Sequence, residues 1–449
     1  MIHQLQNNSL PNEGVIQLNT CQLSYIRTKR FAIENDFIAS VIQSFLFVLF
    51  ALITSLSSLS AQQVIPKANE PNNVWGSKLL TTIPKYRIIS DDTAGVKELI
   101  YEGAGYGNLP KTEVFAYYAT PGTINHNASP DKNLPAIVFV HGGGGKAFRE
   151  FAFLWAQRGY AVIAMDLAGN GKDGKRLPLG GPDQDPRKKF TNIDSALNQQ
   201  WVYHAVYNVA LAHSLILSFK EVDKNNTGIT GISWGGFLTS ISAGLDNRYN
   251  AAVPVYGCGF YFDTAGVNYW ANLNKLSKSS SERWIKQYDP SNFIGQSKAK
   301  FLWITGAKDQ HFNPSMFSRT YNEVVSQSIF RLIPDMPHGH YEGATPTEIA
   351  AFMNHYLKND PYQLPYFESV NNNSTSITAL VNTSEEIVEA TLCFTKDKTL
   401  PFEKRVWETL PANVDGKKVT AQLPDGVVMW MIDIKDSKGM LVSSKYYFQ

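Results

Sequence analysis

Gly228-Ile229-Thr230-Gly231-Ile232-Ser233-Trp234-Gly235-Gly236 is the stretch that decides how this chain is read. It holds the pattern G-x-S-x-G, followed at once by another glycine. Upstream, Asn225-Asn226-Thr227 predicts a turn and Thr227 to Ile232 a short β-rich run; downstream, Phe237 to Leu245 predicts a helix. Strand, sharp turn with a serine, then helix is the arrangement that exposes a nucleophile. The turn demands a strained backbone at Ser233, and a Cβ on the flanking glycines would collide with the facing helix and strand. Serine and glycine are common residues, so the pentapeptide needs partners elsewhere in the chain.

The sequence on either side supplies the frame. Leu134 to Val140 is a continuous apolar run, as expected of a strand covered on both faces. His141-Gly142-Gly143-Gly144-Gly145 ends it, and Lys146 to Arg158 has helical periodicity. Tyr160 to Leu167 predicts a strand, Ala168 to Thr191 a loop, and Ile193 to Phe219 a long helix. Beyond the elbow come strands over Ala251 to Tyr256, Lys300 to Thr305 and Ser328 to Ile333, with helices over Pro314 to Gln327 and Thr345 to Leu357. Gly257 to Lys298 is longer than an ordinary connection. This alternation predicts an α/β fold with a mostly parallel, doubly wound sheet. Three earlier strands are expected over Leu79 to Ser90, Val96 to Tyr101 and Thr112 to Tyr118. From Tyr366 the period changes to two: Val388, Ala390, Leu392 and Phe394 alternate with Glu389, Thr391, Cys393 and Thr395. Asp436-Ser437-Lys438-Gly439 predicts a hairpin turn, and the whole tail a small β-sandwich-like module.

A serine hydroxyl needs a general base, and the base needs an orienting carboxylate. In a parallel sheet such groups gather beyond the carboxyl ends of the strands. Asp309 follows one later strand and His338 the next, each in a loop. Ser233, Asp309, His338 is the chain order of the α/β-hydrolase fold. The bland alternatives are that Asp309 caps the helix near Pro314, that Asp335 is the acid, or that His340 is the base. His338 is favoured over His340 because it directly follows the strand exit and precedes a glycine. A tetrahedral oxyanion needs two preset donors. The backbone N–H of Trp234 is the first candidate; the second is Gly143, with Gly142 next. Asp183 and Gln184 are candidates for the site mouth, equally readable as a polar turn. Tyr256, Tyr261, Trp270 and Trp234 are read either as platforms for a sugar ring or as packing. His141 is read as structural, and His204 and His213 as packing or surface residues.

Apolar content of 43% and a length of 449 residues allow more than one domain. A net charge of +2 carries no nucleic-acid or membrane-surface signal. The three cysteines, Cys21, Cys258 and Cys393, lack metal-ligand spacing or a disulfide framework. No metal and no cofactor is expected. Residues 37–56 form an apolar run, preceded by Arg27, Lys29 and Arg30 and followed by small residues. That pattern fits a cleaved signal peptide, and the length alternatively fits an uncleaved membrane anchor. Secretion or a periplasmic location is expected, with membrane contact only if the segment is retained. The oligomeric state is not legible.

HGGGG at 141–145, DLAGNG at 166–171, GGPDQ at 180–184, GISWGG at 231–236, PVYGCGF at 254–260 and MPHGHYEG at 336–343 together resemble the dienelactone-hydrolase and acetyl-xylan-esterase-like group of α/β-hydrolases. The resemblance covers about half of the chain, from Leu134 to Leu357. It implies a serine hydrolase acting on acyl esters, often acetyl groups on plant polysaccharides. Dienelactone hydrolases proper use cysteine where Ser233 stands here, which favours the esterase side; Trp234 stands where cephalosporin-C deacetylase-like esterases carry glutamine. The expected organisation is an N-terminal extension with signal or anchor over 1–61, a catalytic domain over 62–365 and a β module over 366–449. The alternatives are a peptidase similar to the prolyl oligopeptidase group, and a non-catalytic carbohydrate-binding protein on the same fold. The roughly 70 residues before Leu134 are too few for the propeller such peptidases carry.

Overall fold

Strands without polar alternation must be covered on both faces, and the sheet is built around several of them. The computed structural model describes residues 74–449, apart from 92, 262–272, 274 and 374. The N-terminal extension, the apolar run 37–56, Cys21 and Trp270 therefore lie outside the described residues. Strands β1 (Tyr86–Asp91), β2 (Lys97–Gly103) and β3 (Thr112–Ala119) form an antiparallel wing. Strands β4 (Leu134–Val140), β5 (Ala161–Met165), β6 (Val222–Ile232), β7 (Ala251–Val255), β8 (Lys300–Gly306) and β9 (Ser328–Ile333) are parallel, in spatial order 5-4-6-7-8-9, with β3 joined antiparallel to β5. Every residue of β5 and β7 is buried, which their unbroken apolar sequences require.

Helices cover both faces. All sixteen residues of the helix Trp201–Ile216 are buried. Its outer side is covered by the segment preceding β1: the Trp75 indole N–H donates to the Tyr203 carbonyl at 3.4 Å, and the Ser214 hydroxyl to the Leu80 carbonyl at 2.7 Å. This corrects the strand expected over Leu79 to Ser90. Gly76–Thr81 is helical and only Tyr86–Asp91 is strand, because docking on another helix outweighs the weak local preference of a short apolar run. The helix expected from Ile193 begins at Trp201, after two single turns at Asn192–Asp194 and Leu197–Gln199. The elbow strand also starts earlier than expected. Asn225, Asn226 and Thr227 lie within β6, where a register shift against β4 absorbs the polar residues and the Asn225 N–H bonds to the Asp223 carboxylate.

The tail builds two antiparallel layers. One contains β10 (Tyr366–Asn372), β11 (Ser376–Asn382), β14 (Asn413–Asp415) and β15 (Lys418–Gln422). The other contains β12 (Ile387–Thr395), β13 (Glu408–Pro411), β16 (Met429–Asp436), β17 (Leu441–Ser443) and β18 (Tyr447–Phe448). The second layer continues the central sheet, because Ser443 pairs with Phe330 of β9 and its hydroxyl accepts from the Leu332 N–H at 2.9 Å. Asp436 to Met440 makes the expected hairpin turn, with Gly439 at φ +80°. The alternation expected in β12 holds only in part. A β-bulge between Ile387 and Glu389 turns Val388 outward, and Cys393 and Thr395 are buried because a second apolar cluster with Met429, Met431 and Tyr446 covers their face.

Candidate active site

The strand order reverses around β4: β5 lies on one side and β6 on the other. The carboxyl ends of β4 and β6 therefore flank a crevice at the switch point, where such sheets bind ligands. The glycine run leaves β4 there, and Ser233 leaves β6. Ser233 has φ +62° and ψ −120°, a backbone conformation that L-residues avoid and that persists only when surroundings enforce it. Its N–H is tied to the Val255 carbonyl at 2.9 Å. A Cβ on Gly235 would run into the Val140 carbonyl, so the helix Trp234–Leu245 can start this close to β4 only with glycine there.

The three residues separated in sequence meet at this end of the sheet. His338 Nε2 is 2.8 Å from Ser233 Oγ, and His338 Nδ1 is 3.0 Å from Asp309 Oδ2. Asp309 is buried in the turn after β8, where its Oδ1 accepts from the N–H groups of His311 at 2.7 Å and Phe312 at 3.0 Å. It does not cap the following helix; Asn313 does, accepting from the Met316 N–H at 3.0 Å. Asp335 points away into an exposed ion pair with Lys308 at 2.5 Å. The imidazole of His338 is packed on two sides, its ring centroid 4.4 Å from that of Tyr256 and 4.6 Å from that of His311. Burial, with His338 beside it, pushes the His311 imidazole down to about 4, so it faces His338 as a neutral ring. Tyr256, itself at φ +62°, donates its hydroxyl to the Pro337 carbonyl at 2.6 Å and so holds the loop that carries His338.

The glycine run is held by side chains. His141 is buried; its Nε2 accepts from the Leu167 N–H at 2.9 Å, so Nδ1 carries the proton donated to the Gly142 carbonyl at 2.8 Å. Burial pushes this imidazole down to about 3, consistent with the neutral form. The Gly142 N–H donates to His340 Nε2 at 3.1 Å, and the Gly144 N–H to Gln184 Oε1 at 3.0 Å. The Gly143 N–H has no hydrogen-bond partner among the described residues. Trp234 opens the helix that follows Ser233.

The remaining expectations sort by exposure. Gln184 shapes the glycine run. Asp183 is exposed and paired with Lys188 at 3.3 Å. His340 belongs to the loop support and not to the Ser233 relay. Tyr256, Tyr261 and Trp234 are buried, so they pack the interior and offer no open face to a sugar ring. Trp270 lies outside the described residues. His204 and His213 are buried on their helix. Sequence reasoning does not single out His311 or Lys189. His311 carries a usable signal, two residues past Asp309; Lys189 sits in a charged loop and carries none.

A family model of acetyl xylan esterase (AXE1) matches residues 98–356, more than half of the chain. Among curated proteins, the uncharacterized peptidase YuxL of Bacillus subtilis (strain 168) is 24% identical over 193 residues, which is 39% of this chain and 26% of that protein. The chain thus spans about a quarter of that relative's length. An acetyl xylan esterase from Paenibacillus sp. R4 superposes with a TM-score of 0.50 at 22% identity, over 62% of this chain and 92% of that one. Acetyl xylan esterase 1 from Thermoanaerobacterium sp. JW/SL YS485 gives a TM-score of 0.47 at 21% identity, over 59% and 86%. The likeness to the first structure speaks to the fold, an α/β-hydrolase sheet with an antiparallel β region after it.

Proposed function

The chain belongs to the acetyl xylan esterase (AXE1) family of carboxylic ester hydrolases, and on that premise we propose that it removes acetyl groups from carbohydrate esters through a Ser233 acyl-enzyme. The observation that carries this is the unbroken relay from Ser233 Oγ through His338 to the buried Asp309, built on a serine held at positive φ. In the proposed cycle Ser233 Oγ attacks the acetyl carbon while His338 Nε2 takes its proton. Asp309 keeps Nδ1 protonated and offsets the charge of the imidazolium. The oxyanion is met by the N–H groups of Trp234 and Gly143. Collapse breaks the ester bond, and the departing sugar oxygen takes the proton from His338. Water then repeats the sequence, releasing acetate and restoring the serine. The apolar run at 37–56 supports export, which would bring the protein to extracellular polysaccharide.

The peptidase similarity keeps a second reading open for test, since the same relay also cleaves amides. Acetylated xylan or pectin incubated with the protein should release acetate, while aminoacyl-arylamides stay intact. Arylamide cleavage without acetate release would overturn the esterase reading in favour of the peptidase.

A further inference from the structure

Lys189 lies on the short helix Lys188–Thr191 and is only 4% exposed. Its Nζ is 4.7 Å from the ring centroid of Trp201 and 4.7 Å from that of Trp234. A β-carbon placed on Gly143 would lie 3.3 Å from this Nζ and 2.8 Å from Trp234 Cδ1. The ammonium is therefore packed beside Gly143, whose N–H has no hydrogen-bond partner among the described residues, and against the side chain of the residue after Ser233. The backbone is pinned, because the Trp284 indole N–H donates to the Lys189 carbonyl at 2.8 Å. Among the described residues no carboxylate forms an ion pair with Lys189. The titratable groups facing it are Asp185, on the preceding turn, and the neutral imidazole of His141, in the glycine run.

A buried ammonium without a carboxylate is costly, and two indole faces offset only part of that cost. The ester carbonyl is neutral, but the tetrahedral intermediate places a full negative charge beside Gly143 and Trp234. A fixed cation there interacts far more strongly with the transition state than with the bound substrate, which is the condition for raising kcat. We propose that the Lys189 ammonium reinforces the oxyanion pocket, acting through space behind the Gly143 and Trp234 amides. Lys189 is thus an electrostatic positioning residue, and the inference rests on the Ser233 acyl-enzyme reading. Burial, against the opposing pull of Asp185, lowers its pKa to about 7. Turnover should therefore fall on the alkaline side as Lys189 loses its proton.

The test compares wild type, Lys189→Met and Lys189→Arg in the full chain with 4-nitrophenyl acetate. Fluorophosphonate labelling of wild type comes first: no labelling sinks the acyl-enzyme reading itself, and labelling leaves the lysine as the question. With labelling present, Lys189→Met should lower kcat about 10- to 100-fold with KM within about twofold. It should also lose the alkaline fall, and Lys189→Arg should shift that fall beyond the range of assay. Unchanged kcat and an unchanged alkaline limb in Lys189→Met overturn the inference. Stability gives a readout that a purely structural lysine would move the other way. Because burial lowers this pKa, the ammonium destabilises the fold fully below about pH 7, and the penalty fades as pH rises toward the usual lysine value. Lys189→Met should therefore melt higher than wild type at pH 6 while turning over more slowly; a lower melting temperature with activity lost in proportion overturns the proposal. Should Lys189→Met not accumulate, wild type against Lys189→Arg decides: coincident alkaline limbs overturn it, and a limb present only in wild type supports it.

Discussion

The described residues include two hydroxyl–imidazole–carboxylate relays of nearly equal geometry. In one, Ser233 Oγ is 2.8 Å from His338, which is 3.0 Å from Asp309. In the other, Thr227 Oγ1 is 3.0 Å from His213 Nε2, and His213 Nδ1 is 2.8 Å from Asp246. Both hydroxyls belong to the β6 segment, Thr227 inside the strand and Ser233 just past its end. Distances alone do not tell the two apart; the surroundings do. Thr227 is buried within β6, its hydroxyl also within 3.0 Å of the Arg248 carbonyl, and the His213 ring lies flat on Tyr249 with centroids 3.9 Å apart. Asp246 is bound by the Arg248 guanidinium at 2.8 and 2.7 Å. The Ser233 relay has instead a partly exposed serine at positive φ and a histidine 12% exposed. A relay becomes a reaction centre where a substrate can reach the hydroxyl and a developing charge finds donors; the same relay in the interior is a stabilising polar network.

Three sets of substitutions sharpen this contrast, and they are ordered by expected effect. Ser233→Ala should lower kcat at least about 10³-fold and abolish fluorophosphonate labelling, whereas Thr227→Val should leave kcat per folded molecule within about threefold. Equal labelling of Ser233→Ala and wild type would remove Ser233 from its role. The carboxylates should divide in the same way. Asp309→Asn should cost about 10²- to 10⁴-fold in kcat with little change in melting temperature. Asp246→Ala should cost about 1–3 kcal/mol of stability, read by urea unfolding, with turnover retained, because it leaves the buried His213 and the half-buried Arg248 without their shared acceptor. Burial raises the Asp246 carboxyl, but hydrogen bonds from Arg248 and His213 outweigh it and hold it well below the ordinary carboxylate range. Its stabilising contribution is therefore present above the unfolded carboxylate value and is lost as pH falls through the folded one. Acid unfolding of Asp246→Ala should accordingly show a shallower loss than wild type. The smallest effect belongs to the loop support. His340→Ala strands the Gly142 N–H and should lower kcat by about 3- to 10-fold, against at least about 10³-fold for His338→Ala. The reverse order would move the base to His340.

Part of this contrast is legible in the amino-acid sequence. The apolar runs of β4, β5 and β7 and the G-x-S-x-G-G turn report local needs, cover on both faces and a Cβ-free approach, so the strands and the elbow follow from the residues. Other features are not legible there. The alternation of β12 puts Val388 on the inward face, yet it points outward because a bulge shifts the register by one residue. The apolar run at Leu79 favours strand, yet Gly76–Thr81 is helix because it docks on Trp201–Ile216. Trp234 reads equally as sugar platform and as packing, and its burial decides for packing.

The sequence by itself determined the order Ser233, Asp309, His338 and their position in post-strand loops. Parallel strands carry all such loops to one edge, so order along the chain becomes proximity in space. Only the tertiary structure decided which histidine faces Ser233, which glycine amide is engaged, and that Lys189 sits between two indoles with no carboxylate paired to it among the described residues. Those outcomes depend on side-chain directions and on partners many residues distant, and local sequence encodes neither.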